Sequence, residues 1–310
     1  MKSKIATLCI CIGIIVQTSA QETETIFKVL ASKGANKYQP TGSAEVKPLV
    51  VGKKLMKGDK IVIDENGYAG LAFQSGKTIE IKKSGTYEIN KLIPEVTSQN
   101  SGIGKKYIEF VVGEMTANSE DMTKNRHKYM AVTGSVERGS YDINLLVPHG
   151  KMETHVFSQP TAVKWEAVPG VATYTIRVDN MFDEHAFSTA TPDTSIFLDF
   201  AKVNPKKEAA QYILRISAKS KNKELHAQDF SIKFLGSEKE GKLLEKLTEL
   251  KSELGEESAL NHMVLASFYE EHKLYLNAME SYHAAITMQP DVEDFKALYH
   301  QFLIRSGAIK

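Results

Sequence analysis

The stretch that most constrains this chain is 259–290, ALNHMVLASFYEEHKLYLNAMESYHAAITMQP. Two apolar-periodic segments of helical length meet at a short polar turn, Glu271–Lys273. Leu265, Ala266 and Tyr269 share a face in the first; Ala278, Tyr282 and Ala285 share one in the second, at i, i+4 and i+7. Small side chains at 266, 278 and 285 let backbones approach closely, and the two tyrosines fill the wider gaps. Pro290 stops the second helix. Upstream, Leu243, Leu244, Leu247, Leu250 and Leu254 predict an amphipathic helix over 242–254 with Lys and Glu outward, closed by Gly255. Phe295, Leu298, Tyr299 and Phe302 predict a last helix near 292–304. Four helices over 237–310 make a short array whose ends need covering, by the β part of the chain or by another molecule.

At 310 residues the chain is longer than one core normally holds, so two or three domains are expected. The net charge of +1 is dispersed, which argues against nucleic-acid binding. Lys2 and Lys4 precede an apolar run, Ile5–Val16, and then Thr18-Ser19-Ala20. That order predicts a signal peptide over 1–20 with cleavage before Gln21, and the apolar run is too short for a stable membrane span. Cys9 and Cys11 both lie inside it, so the mature chain lacks thiol chemistry and disulfides. The expected location is outside the cytoplasm, in a bacterial periplasm or at the cell surface.

From 46 to 90 the texture is all-β: short apolar strands such as KIVI and YAGLAF, separated by turn signals at Asp64–Gly67, Gln74–Lys77 and Lys83–Gly85. Tyr107–Val112 reads as another strand, a polar loop is expected near 113–130, and Ser140–Pro148 reads as the strand closing a first β domain over 21–148. A second β domain is expected over 149–236, with strands at Thr173–Val178, Ala186–Thr189, Ser195–Leu198, Gln211–Ser217 and Asp229–Phe234. Trp165 and Tyr174 lie on neighbouring strands, where paired aromatic rings fill the space between sheets.

Three resemblances follow from these residues. Gly52, Leu55, Gly58-Asp59, the Tyr68/Ala69/Leu71/Phe73 strand, Gly76, Ile81 and Thr86 resemble the FecR-type domain of envelope regulators of iron-citrate uptake. The chain departs from those regulators in lacking their cytoplasmic segment and transmembrane helix, and Ala131–Gly139 only approximates the family's usual close. Pro160, Trp165, Val168-Pro169-Gly170 and Tyr174, Ile176, Val178 resemble the opening of an immunoglobulin-like or fibronectin-type module. Leu265, Ala266, Tyr269, Ala278, Tyr282, Ala285 and Pro290 resemble one tetratricopeptide repeat, which implies a packed helical hairpin serving protein–protein contact.

Motifs that expose an enzyme (GxSxG, HExxH, a phosphate-binding GxxxxGK[ST]) do not occur. His149 and His155, six apart around a turn, could pair on a metal but have no nearby third ligand, and Glu120, Asp121 with His127 lack the spacing of a metal site. Asp179, Asp183, Glu184 and His185 read as a solvated hairpin loop, with calcium binding as the alternative. Hence no catalytic residue, metal or cofactor is expected, and the function expected is binding or scaffolding of an envelope protein partner. The helical residues expected to meet it are His262, Tyr269 and Tyr282. The alternative is a glycan or small-molecule ligand taken by the β domains at Tyr68, Tyr87 and Tyr107, or on an exposed Trp165 rather than a core one.

Overall fold

A computed structural model describes residues 25–93, 102–117, 141–146, 153–204, 208–221, 223–306 and 308. The expected signal peptide, residues 118–130 of the polar loop, Ala131–Gly139, and His127 and His149 lie outside them.

The first β unit is two four-stranded antiparallel sheets. One runs β4 (Lys54–Met56), β1 (Thr25–Lys33), β6 (Tyr68–Phe73), β7 (Thr78–Ile81). The other runs β3 (Lys47–Pro48), β2 (Lys37–Gln39), β5 (Lys60–Ile63), β8 (Gly85–Glu88). Phe27, Val29, Leu55, Ile61, Ile63, Leu71 and Phe73 share the core of this unit. Asn66 takes the left-handed conformation in the Asp64–Gly67 turn, a shape Asn tolerates better than most residues. The unit is not all-β as expected. Ile89–Leu92 forms a short helix α1, and Tyr107–Val112, expected as a strand, lies inside a 15-residue helix α2, Ile103–Ala117. Tyr107, Ile108, Val111, Val112 and Met115 are buried while 105, 106, 109 and 110 are exposed, which is the helical period. The β-branched YIEFVV run hides that period until Ile103 and Met115 are counted with it.

The middle unit is a β-sandwich. One sheet runs β12 (His185–Thr191), β11 (Tyr174–Asn180), β14 (Ala209–Ser220), β16 (Phe230–Leu235), β9 (Thr154–Val156), with β15 (Lys223–His226) hairpinned to β14. β16 and β9 are parallel and the other pairings are antiparallel. The other sheet is β10 (Thr161–Lys164) with β13 (Ser195–Leu198), and a one-turn helix α3, Phe200–Val203, follows it. Trp165 is core: its ring meets Tyr174 edge-on at 5.3 Å. The segment expected to close the first unit packs here instead. Ile143 bridges to Ala227 and Leu145 to Trp165, and both side chains are buried among the sandwich residues.

The C-terminal helices are α4 (Ser237–Leu254), α5 (Ala259–Glu271), α6 (Tyr275–Met288) and α7 (Glu293–Arg305). Ser258 caps α5 by accepting from Asn261 N. Their ends are covered by the chain itself. β6 alternates between two cores: Ala69, Leu71 and Phe73 face the first sandwich, and Tyr68 and Ala72 join the helical core. Gly70 leaves room for Leu260, whose side chain a Cβ at 70 would meet at 2.8 Å. Glu80 Oε1 accepts from both Tyr68 OH and Leu260 N at 2.9 Å, and Thr78 donates to Asn261 at 2.5 Å.

The first turn of α7 seals the same seam. Ser32 N donates to Asp294 Oδ2 at 3.4 Å and Lys33 pairs with Asp291 at 3.0 Å. Burial pushes the Asp294 carboxyl up to about 6, with Glu293 adding to the shift and Ser32 N–H opposing it. The folded form therefore holds this proton more tightly than the unfolded chain, whose aspartates titrate near about 3.9. The site's contribution to stability is largest below that unfolded value and is lost as pH rises through about 6. Asp294→Asn lacks this titration, so the melting temperature of wild type relative to the variant is expected to fall between pH 5 and pH 8. A constant difference across that range would show that Asp294 does not titrate there.

Candidate functional site

Two of the three residues expected to meet a partner, Tyr269 and Tyr282, are buried in the protein itself. Tyr282 is 1% exposed, lies 5.1 Å from the Phe302 ring and donates to Glu270 at 3.2 Å. Glu270 also pairs with Arg305, which reaches Glu114 of α2. Tyr269 is 8% exposed and its ring meets Phe268. His262 is half-buried and bonded to Glu257 at 2.9 Å. The expected docking face is thus occupied by α7 and α2, because an apolar hairpin face is satisfied equally well by the chain's own helices.

The three tyrosines of the alternative reading are not gathered in one place. Tyr68 packs on Phe295 and Tyr107 on Phe268, both in the helical core, whereas Tyr87 flanks the first sandwich and donates to Lys83 O. Trp165, 2% exposed, offers no surface to a sugar. Asp179 is fully buried, with both oxygens taken by Arg177 and one shared with Arg215, which extends to Asp183 and Asp229. Those guanidiniums occupy the lone pairs a calcium ion would need. Burial works to raise the Asp179 carboxyl, but the hydrogen bonds from Arg177 and Arg215 outweigh it and hold the group below the usual range.

A different site forms where the helices meet the middle sandwich. β9 is an edge strand, and the α5–α6 turn covers that edge. His155 N donates to Lys273 O at 2.8 Å, Thr154 Oγ1 donates to the same carbonyl at 3.1 Å, and Tyr275 N donates to Thr154 Oγ1 at 3.2 Å. His155 Nδ1 lies 2.8 Å from His272 O, so that nitrogen carries the proton. Glu240, buried on α4, accepts from Ser158 N and Ser158 Oγ, and Leu276 of α6 enters the sandwich core. Beside these contacts opens a cleft of about 380 Å³. Leu235 and Leu243 give it apolar lining, and Lys239, Lys242, Lys246, Lys273, His155 and His272 surround them.

The cleft carries a positive field. Its single carboxylate, Glu271, pairs with Lys106 at 2.5 Å, and Lys242 pairs with Glu238. Among the described residues Lys239, Lys246 and Lys273 have no carboxylate partner. Burial lowers His272, and Lys246, Lys106 and His155 push the same way against Glu271. Burial likewise lowers His155, helped by Lys273 and Lys233 and opposed by the His272 carbonyl and Glu153. Both imidazoles are therefore neutral at pH 7, leaving lysine charge to attract anions and imidazole to hydrogen-bond. In the sequence, the lysines of α4 look like the solvated face of an amphipathic helix. Their recurrence at 239, 242 and 246, one face of that helix, is the available signal, and what makes it a site is the facing turn 271–273.

No family model matches the chain, and no curated protein matches it. Among solved structures, the chain is similar to the chicken CNTN1 FN1-FN3 domains at 14% identity and a TM-score of 0.21. The similarity covers 67% of this chain and 56% of that one. So low a TM-score carries no argument, and the β-sandwich assignment rests on the two sheets described above. Among the described residues no helix is long and apolar enough to cross a membrane.

Proposed function

We propose that the chain is a non-enzymatic, exported cell-envelope protein that binds or scaffolds a protein partner. In this reading a FecR-like β domain and an immunoglobulin- or fibronectin-like domain are held together by a C-terminal helical module built on one tetratricopeptide-like hairpin. Residues 1–20 direct export to the periplasm or the cell surface. The observation that carries the reading is the double docking of the helices. They contact the first sandwich through Leu260, Asn261 and Asp294 and the second through Glu240, Lys273 and Leu276. A module fixed on both sides keeps two β units in one relation and holds the elements around the cleft in place, which is the geometry a scaffold needs.

The partner surface is accordingly the cleft rather than Tyr269 and Tyr282. A photo-crosslinking residue placed at Glu271, on the cleft wall, is expected to trap a discrete protein from envelope extract. The same residue at Phe197, exposed on the middle sandwich, serves as the control. Equal trapping at both positions, or none at Glu271, would remove the cleft from the reading.

A further inference from the structure

The partner's chemistry follows from the cleft, given the reading above. We infer that it accepts an acidic peptide segment in extended conformation, with apolar side chains among its carboxylates. Three features lead there. The charge is concentrated: three lysines on one face of α4 are joined by Lys273 from the opposite wall, on a chain whose net charge is only +1. A cleft lined by one sign of charge raises the local concentration of the opposite sign.

The spacing also suits a peptide. Along α4, Lys239, Lys242 and Lys246 stand about 4.5 and 6 Å apart by helical rise. Side chains on one side of an extended peptide recur about every 6.6 Å, so carboxylates at alternate positions can each meet a lysine. Leu235 and Leu243 give the apolar side chains a surface to cover. Lysine, unlike arginine, presents a mobile point charge and imposes no bidentate geometry, which fits a run of carboxylates of loosely defined position. Of the two neutral rings, His155 is held by the His272 carbonyl at Nδ1 and faces Glu153 at Nε2, and His272 meets Tyr107 OH at Nε2, which leaves Nδ1 of His272 for a backbone group of the peptide. A cleft of about 380 Å³ has room for a few residues of a peptide.

The test uses the purified chain and a fluorescein-labelled peptide of five residues alternating glutamate and leucine, read by anisotropy. Saturable binding is expected. The combined change Lys239→Glu, Lys242→Glu and Lys246→Glu should weaken it at least about tenfold, with the three Lys→Gln changes falling between. All three side chains are exposed, so the fold should survive, which circular dichroism checks. Lys60→Glu, exposed on β5, should leave binding unchanged. Peptide binding should also raise the NMR titration midpoints of His155 and His272, since a carboxylate nearby favours the imidazolium. Equal affinity in the charge-reversed protein overturns the proposal. So does binding of inorganic phosphate, displaced by the same lysine changes, with no peptide binding. If the peptide fails while the residue at Glu271 still traps a partner, only the acidic-peptide chemistry is wrong. If both fail, the scaffold reading falls with it.

Discussion

Trp165→Ala is expected to cost on the order of 3–5 kcal/mol and to unfold the middle sandwich at temperatures where wild type is intact. The ring is buried, meets Tyr174 edge-on, and sits where Leu145 bridges to the strand leaving β10. Whole domains are stable by only about 5–15 kcal/mol, so a loss of that size consumes much of the margin. Among the described residues the buried indole Nε1 has no hydrogen-bond partner, which offsets part of what the ring contributes. Trp165→Phe keeps much of the aromatic packing and removes that nitrogen, so its cost should be clearly smaller than that of Trp165→Ala. Because Trp165 is the chain's single tryptophan, its fluorescence follows wild-type unfolding without interference, and circular dichroism serves for the variants. A Trp165→Ala protein as stable as wild type would place the ring outside the core and restore a sugar-binding role.

Local signals in the sequence are legible where a single period or turn residue decides the element. Gly255 and Pro290 mark the ends of α4 and α6 closely, whereas α4 begins at Ser237, five residues before the start at 242 that the leucine stripe predicts; the Asp64–Gly67 turn falls where its residues require. What was hidden depends on two-sided packing. YAGLAF reads as one apolar strand, yet the apolar run without polar alternation already implies that both faces are covered. Nothing in the strand says by what. Likewise Ser140–Pro148 has strand texture but no local feature to say which sandwich it joins, and the bridging of Ile143 to Ala227 and of Leu145 to Trp165 is a long-range choice. The cleft is invisible for the same reason: lysines on α4 and a turn 25 or more residues later become one site only after the helices fold back onto β9.

The seam between Gly70 and Leu260 gives the sharpest test of how the helices dock on the first sandwich. Leu260→Ala removes a fully buried side chain from the helical core, and such truncations typically cost about 2–5 kcal/mol. Gly70→Ala alone places a methyl 2.8 Å from both δ carbons of Leu260, within a core that leaves the leucine little room to shift, an over-packing that typically costs about 1–3 kcal/mol. The double variant removes the collision and lets the new methyl fill part of the vacated space. Its loss should therefore fall short of the sum of the two, by an interaction within the range of about 0.5–3 kcal/mol seen for residues in contact. Urea denaturation of the four proteins measures this directly, and the first sandwich and the helices should unfold together because Leu30, Ala31, Tyr68 and Ala72 of β1 and β6 belong to the helical core. Strict additivity, with the helices melting apart from the β unit, would mean that α5 does not rest on β6. The double docking of the helices, and with it the scaffold reading, would then be lost.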